Sequence, residues 1–154
     1  MADASVKVTS TTAITHISSG ASFAAGAFST TVGTLIEGTG NVARYGRADV
    51  VMAYPPSQTT SSTSMNIYLY RRNLNVGGTI NDELTPTTAN KQKFVGAFQL
   101  QATTSTGTQY LTIIDVPLPT PHDCEFYIEN GLTPSIPAGW SLTVVPKTDV
   151  GATA

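Results

Sequence analysis

The sequence predicts an all-β protein: an antiparallel β-sandwich of jelly-roll-like plan, with long polar loops and an N-terminal arm. Three observations carry this expectation. Apolar residues recur at every second position in several short segments; Gly, Pro and Thr/Ser clusters separate those segments; and no segment holds an uninterrupted helical period. The clearest case is His122 to Asn130, where Cys124, Phe126 and Ile128 alternate with Glu125, Tyr127 and Glu129. A second is Gly139 to Pro146, where Trp140, Leu142 and Val144 alternate with Ser141, Thr143 and Val145. Successive side chains on a strand point to opposite faces, whereas on a helix Phe126 and Ile128 would lie about 200° apart. Gly131, Pro134 and Pro137 divide the two segments, which read as two strands of one antiparallel sheet carrying the sole Trp.

The remaining elements follow in order. Residues 1–12 are polar and Thr-rich, which predicts an arm or a weak first strand. Ala13 to Ile17 reads as a short strand ended by Ser18, Ser19 and Gly20. Phe28, Val32 and Ile36 have helical spacing, but Ser29, Thr30, Thr31, Gly33 and Thr34 are poor helix formers, so residues 21–40 predict two short strands. A strand from Asn41 to Tyr54, clearest from Asp49 onward, stops at Pro55 and Pro56. Residues 57–64 are wholly polar and of low complexity, a loop at an edge or tip.

Met65 to Tyr70 is a strand with Ile67 and Leu69 facing in and Tyr68 and Tyr70 on the opposite face. Residues 73–92 form a polar excursion with turns at Gly77-Gly78 and Asn81-Asp82. In Phe94 to Leu100 the spacing puts Phe94, Phe98 and Leu100 on one face. A Thr/Ser/Gly turn over 103–108 precedes a strand from Tyr110 to Val116, which Pro117, Pro119 and Pro121 end. From Thr148 the residues are small, so 148–154 reads as a flexible tail. About seven to nine short strands without helices imply antiparallel sheets, because parallel ones need crossover helices. The 154 residues suit one domain, placed at 13–147.

Composition narrows the function. Charged residues make up 12% of the chain, against about 25% in ordinary soluble proteins. Thr and Ser take their place, and the mean hydropathy is +0.02. Such a surface suits packing against other protein and poorly protects a free monomer from association. With a net charge of −2 there is no basic field for phosphates. The pairs Arg44/Arg47 and Arg71/Arg72 fall short of a nucleic-acid footprint, so no nucleic-acid partner is expected. The N-terminal Met-Ala-Asp-Ala-Ser lacks the charged and apolar regions of a secretory signal, and no apolar run approaches the roughly 18 residues of a spanning helix. A cytosolic origin and no membrane partner are the expectation.

Candidate chemistry is sparse. His16 and His122 are far apart, and even with Cys124 they fall short of the usual catalytic metal set. Cys124 lies on the apolar side of its strand, where a buried small hydrophobe is expected rather than a reactive thiol. Asn81, Asp82 and Glu83 read as solvated turn residues rather than a calcium loop. Glu125 and Glu129 on one strand stand roughly 13 Å apart at about 3.3 Å per residue, too far for the 5–9.5 Å of a glycosidase pair, and read as outward charges protecting an edge. No Gly-x-Ser-x-Gly elbow or phosphate loop is present, so no catalytic, cofactor or metal residues are assigned. Tyr68, Tyr70 and Trp140 form either an aromatic platform for sugar or, the commoner outcome, cross-strand and core packing. Arg71 and Arg72 either meet acidic groups of a partner or mark a solvated strand end.

In style the chain resembles the small jelly-roll decoration (cement) proteins of tailed bacteriophage capsids. The stretches that carry the likeness are Asn66 to Arg71, Glu125 to Asn130 and Ile136 to Val144, within residues 40–146. The resemblance implies a non-enzymatic virion protein on the capsid exterior, made in the host cytoplasm. It also implies a homotrimer that bridges neighbouring major capsid protein subunits. Arg44, Arg47, Tyr68, Tyr70, Arg71 and Arg72 are the candidate partner-interface residues, with the N-terminal arm and the loops 55–64 and 73–92 as clamps. The rival expectation is a carbohydrate- or receptor-binding module of a phage tail fibre or tip, gripping glycan through Tyr68 and Tyr70.

Overall fold

The computed structural model describes residues 7–10, 12–30, 43–53, 66–74, 84–91, 93–100, 107–118 and 122–150. Among them are eight strands and no helix: β1 (Lys7–Ser10), β2 (Ile14–Gly20), β3 (Tyr45–Ala53), β4 (Asn66–Leu74), β5 (Phe94–Gln99), β6 (Thr108–Pro117), β7 (Asp123–Asn130) and β8 (Trp140–Val150). They form two packed antiparallel sheets, a β-sandwich. The larger runs β1-β8-β3-β6, with β2 also paired to β8; the smaller runs β5-β4-β7. β2 pairs with residues 140–144 of β8 and β1 with residues 147–150, so both lie along the same edge.

The period-two pattern builds the core. From the larger sheet, Ala48, Val50 and Met52 of β3 and Trp140, Leu142 and Val144 of β8 point inward. From the smaller sheet, Ile67 and Leu69 of β4 and Cys124, Phe126 and Ile128 of β7 meet them, all within one buried cluster. Trp140 is sealed by the β2 end of the sandwich. Its ring packs edge-on against Phe23 at 5.7 Å, and its indole N–H donates to the carbonyl of Ala21 at 2.9 Å. Gly20 lies so close that an added Cβ would stand 1.9 Å from the ring, a space open only to glycine.

The outer edge of β7 is closed by residues 26–30. The amide of Ser29 donates to the carbonyl of Ile128 at 2.7 Å, and that of Asn130 donates to the carbonyl of Ala27 at 2.9 Å. One step along, His16 occupies the same edge at Phe126. Buried backbone groups need such partners, and here they come from two separate stretches of chain.

Several expectations change. β7 and β8 lie in opposing sheets rather than one, because residues 131–139 cross between layers with Leu132 and Ile136 buried as the crossing anchors. Phe94 does not share a face with Phe98 and Leu100. A register shift between Leu69 and Tyr70 sets Phe94 opposite Tyr70 and leaves it 56% exposed, while Phe98 and Leu100 are buried. β2 passes through Ser18 and Ser19 to Gly20, with bulges absorbing the irregularity. β8 continues to Val150, beyond the expected start of the tail, because β1 supplies its ladder. Of the two strands expected in 21–40, the described part shows bridges at Phe23 and Phe28. Residues 31–42 and the loop 55–64 lie outside the described residues, as do 75–83 of the polar excursion.

Candidate functional site

The outward positions of β4 and β7 gather most of the polar chemistry. Their register pairs Tyr68 with Glu129, Tyr70 with Tyr127 and Arg72 with Glu125, so six functional side chains share the outer face of the smaller sheet. Residues 84–91 are fastened to this face at two points. Lys91 Nζ bonds Glu129 Oε1, and Arg72 Nη1 donates to Thr85 Oγ1. Between these points Thr87 and Asn90 close a tight turn through reciprocal backbone hydrogen bonds of 3.0 Å.

Two linked networks result. In the first, Glu129, whose side chain is only 5% exposed, takes Lys91 and accepts from the Tyr70 hydroxyl at 3.0 Å. Rings extend from it in series. Phe28 meets Tyr70 at 5.1 Å, Tyr70 meets Phe94 at 5.6 Å and Phe94 meets Tyr68 at 6.3 Å, all edge-on. In the second, the Tyr127 hydroxyl donates to Glu125 at 2.8 Å, with Arg72 Nη1 at 3.4 Å from the same hydroxyl and 3.9 Å from the carboxylate. Burial, reinforced by the bond to Glu129, pushes the Tyr70 phenol up to about 12. Burial and then Glu125 raise Tyr127 likewise. Both remain neutral donors through the ordinary pH range.

A cleft opens beside the second network. It lies between residues 27–30 and 85–88, has a volume of about 510 Å³, and has Arg72 and Tyr127 on its lining. Phe28 and Pro86 supply apolar wall; Ser29, Thr30, Thr85, Thr87 and Thr88 supply hydroxyls.

The six candidate interface residues therefore separate into different places. Tyr68, Tyr70 and Arg72 come together on the outer face of the smaller sheet; Tyr70 is buried there, and Arg72 is buried too rather than marking a solvated strand end. Arg71 points the other way, where Nη1 donates to the carbonyl of Pro117 at 2.6 Å. Burial lowers its pKa, while nearby Cys124 acts in the opposite sense. The Cys124 thiol is itself pushed up to about 12 by burial, with Arg71 pulling it back, so it is the inert buried sulfur the sequence predicts. Arg44 is exposed just before β3, its carbonyl accepting from the amide of Leu118 at 2.9 Å.

Arg47 stands on the outer face of the larger sheet. There it bonds Asp49 at 2.8 Å, and Asp49 also accepts from the Thr112 hydroxyl at 2.7 Å. Around this matched pair most outward side chains of β3, β6 and β8 are uncharged. Tyr110 is 75% exposed and Ile114 64% exposed, with Val51, Ser141 and Thr143 half-buried nearby. A register shift between Gly46 and Ala48, with Asp115 at φ 58°, loosens the strand where Ile114 emerges.

Sequence reasoning missed Lys91, Thr85, Phe28 and Phe94 as members of the small-sheet face. Lys91, Thr85 and Phe28 lie in stretches without a period, and the register shift beside Tyr70 turns Phe94 to this face, so only the tertiary fold brings them there. Glu125 and Glu129, both expected as outward charges protecting an edge, each serve a network of their own. Glu129, however, is buried under Lys91 rather than guarding an open edge. Among the described residues no three His, Cys, Asp or Glu side chains converge as a metal set, and no helix is long and apolar enough to cross a membrane. No family model matches the chain, and no curated protein or solved structure matches it.

Proposed function

We propose that the chain is a non-catalytic virion protein, a decoration protein that sits on the outside of a tailed-phage capsid and bridges neighbouring major capsid subunits as a homotrimer. The observation that carries the reading is the outer face of the larger sheet. Tyr110 and Ile114 are exposed there on a surface whose central charges, Arg47 and Asp49, already satisfy each other. Docking such a face desolvates little unpaired charge and buries apolar area, which suits a broad contact with another subunit.

Strand order supports the jelly-roll part of the reading. One sheet runs β2-β8-β3-β6; the other runs β5-β4-β7, with residues 26–30 added beyond β7. The chain passes from one layer to the other between β3 and β4, β5 and β6, β6 and β7, and β7 and β8, and a jelly roll of two Greek keys calls for such repeated crossings. Weak contacts repeated around a trimer would combine into strong attachment by raising effective concentration.

The test is addition of purified protein to shells of the encoding phage assembled without it. Saturable co-sedimentation, with a rise in the temperature at which shells rupture, supports the proposal. No binding at tens of micromolar protein overturns it.

A further inference from the structure

We infer that the cleft between residues 27–30 and 85–88 is a binding site for a neutral pyranose unit of a glycan. Its volume of about 510 Å³ falls within the roughly 300–1,000 Å³ of small-molecule sites, which join apolar walls to a few fixed polar groups. Phe28 supplies the apolar wall, and its ring is held in place by the edge contact with Tyr70. Ser29, Thr85 and Thr87 line the same space; their oxygens accept from the Ile128 amide, Arg72 and the Asn90 amide, which leaves each hydroxyl its O–H to donate, and Thr30 and Thr88 stand exposed beside them.

Arg72 and Tyr127 complete the lining. The contacts of Arg72 to Thr85, Tyr127 and Glu125 all run through Nη1 and hold the guanidinium in place on the cleft lining. Glu125 offsets its charge, which favours a neutral polyol over an anion. The walls are preformed. Residues 26–30 are bonded along β7, and residues 85–91 are tied down by Arg72 and by Lys91. A preformed cleft avoids the ordering cost that makes weak ligands fail. The saccharide site lies on the smaller sheet and stands apart from capsid docking through the larger one.

The experiment titrates the full chain with methyl glucoside, galactoside and mannoside and with N-acetylglucosamine, read by amide chemical shifts. At least one sugar should bind saturably, with shifts centred on residues 27–30, 85–88 and 127. Thr88, exposed on the cleft wall, is changed in the variant Thr88→Trp to fill the space. That variant should weaken binding by at least about tenfold at unchanged Tm. Phe28→Ala should weaken it in the same direction. Absence of shifts with every sugar, shifts centred elsewhere, or undiminished binding by Thr88→Trp would overturn the inference.

Discussion

His16 Nε2 lies 3.1 Å from the amide nitrogen of Phe126 and 3.1 Å from its carbonyl oxygen, although 110 residues separate the two. The imidazole is 1% exposed and meets the Phe126 ring edge-on at 6.0 Å. A strand of the larger sheet thereby closes the edge of a strand in the smaller one. A histidine that offered no chemistry in the sequence is a structural bracket. His16→Ala should cost about 2–4 kcal/mol in urea unfolding, from lost volume plus an orphaned amide. His16→Phe restores volume but not the acceptor, so about 1–3 kcal/mol of the loss should persist.

Gly20 and Trp140 make a second fixed contact. The Cβ of an alanine at position 20 would meet three ring atoms within 2.3 Å, and the indole is held by Phe23 and Ala21. Gly20→Ala should destabilise by about 1–3 kcal/mol, with a changed near-ultraviolet circular dichroism signal from the sole Trp. Gly26, with open space around its missing side chain but a φ of 68°, gives the contrasting case of strain without a clash.

Lys91 and Tyr70 both serve the buried carboxylate of Glu129. Lys91→Ala leaves that charge without its cation and should cost about 1–3 kcal/mol. Lys91→Ala combined with Tyr70→Phe should show a non-zero coupling in a double-mutant cycle, because both act on one acceptor. The Lys91 variant should also increase hydrogen exchange at the Thr87 and Asn90 amides, since it frees one end of that segment.

Stability should fall on the alkaline side. Tyr70 rises from 10.0 to about 12 in the folded chain, and Cys124 rises from 9.0 to about 12. A raised folded pKa contributes stability fully below the unfolded value and loses it as pH climbs towards the folded value. The loss therefore begins near pH 9 for Cys124 and near pH 10 for Tyr70, with a slope approaching about 1.4 kcal/mol per pH unit for each. Unfolding measured from pH 7 to 11 should be flat and then decline. Cys124→Ala should delay the onset of the decline, and Tyr70→Phe should reduce its upper part.

Much of the sandwich was legible because its inward residues obey a strict period. Cys124, Phe126 and Ile128, or Trp140, Leu142 and Val144, permit one face only. Sheet membership was not legible. Nothing local distinguishes a hairpin from a crossing, and residues 131–139 look like turn chemistry in either case. Phe94 was misplaced for a related reason: a bulge inverts the face without leaving a mark in the alternation. Of the small-sheet site, Tyr68, Tyr70 and the alternating Glu125, Tyr127 and Glu129 were visible in the strands. Lys91, Thr85 and Phe28 join them through long-range packing that no short window encodes. The neutral Thr/Ser surface was legible from composition, whereas its focus at Tyr110 and Ile114 needed the strand order.

The most direct measurement compares shell binding by the wild-type chain with that of the double variant Tyr110→Asp, Ile114→Asp. These side chains are 75% and 64% exposed, so the substitutions should leave Tm within a few degrees. The docking account predicts saturable co-sedimentation by the wild type, binding weakened at least about tenfold in the double variant, and full binding by Thr88→Trp. Equal binding by wild type and double variant would contradict the assignment of the larger sheet as the docking face.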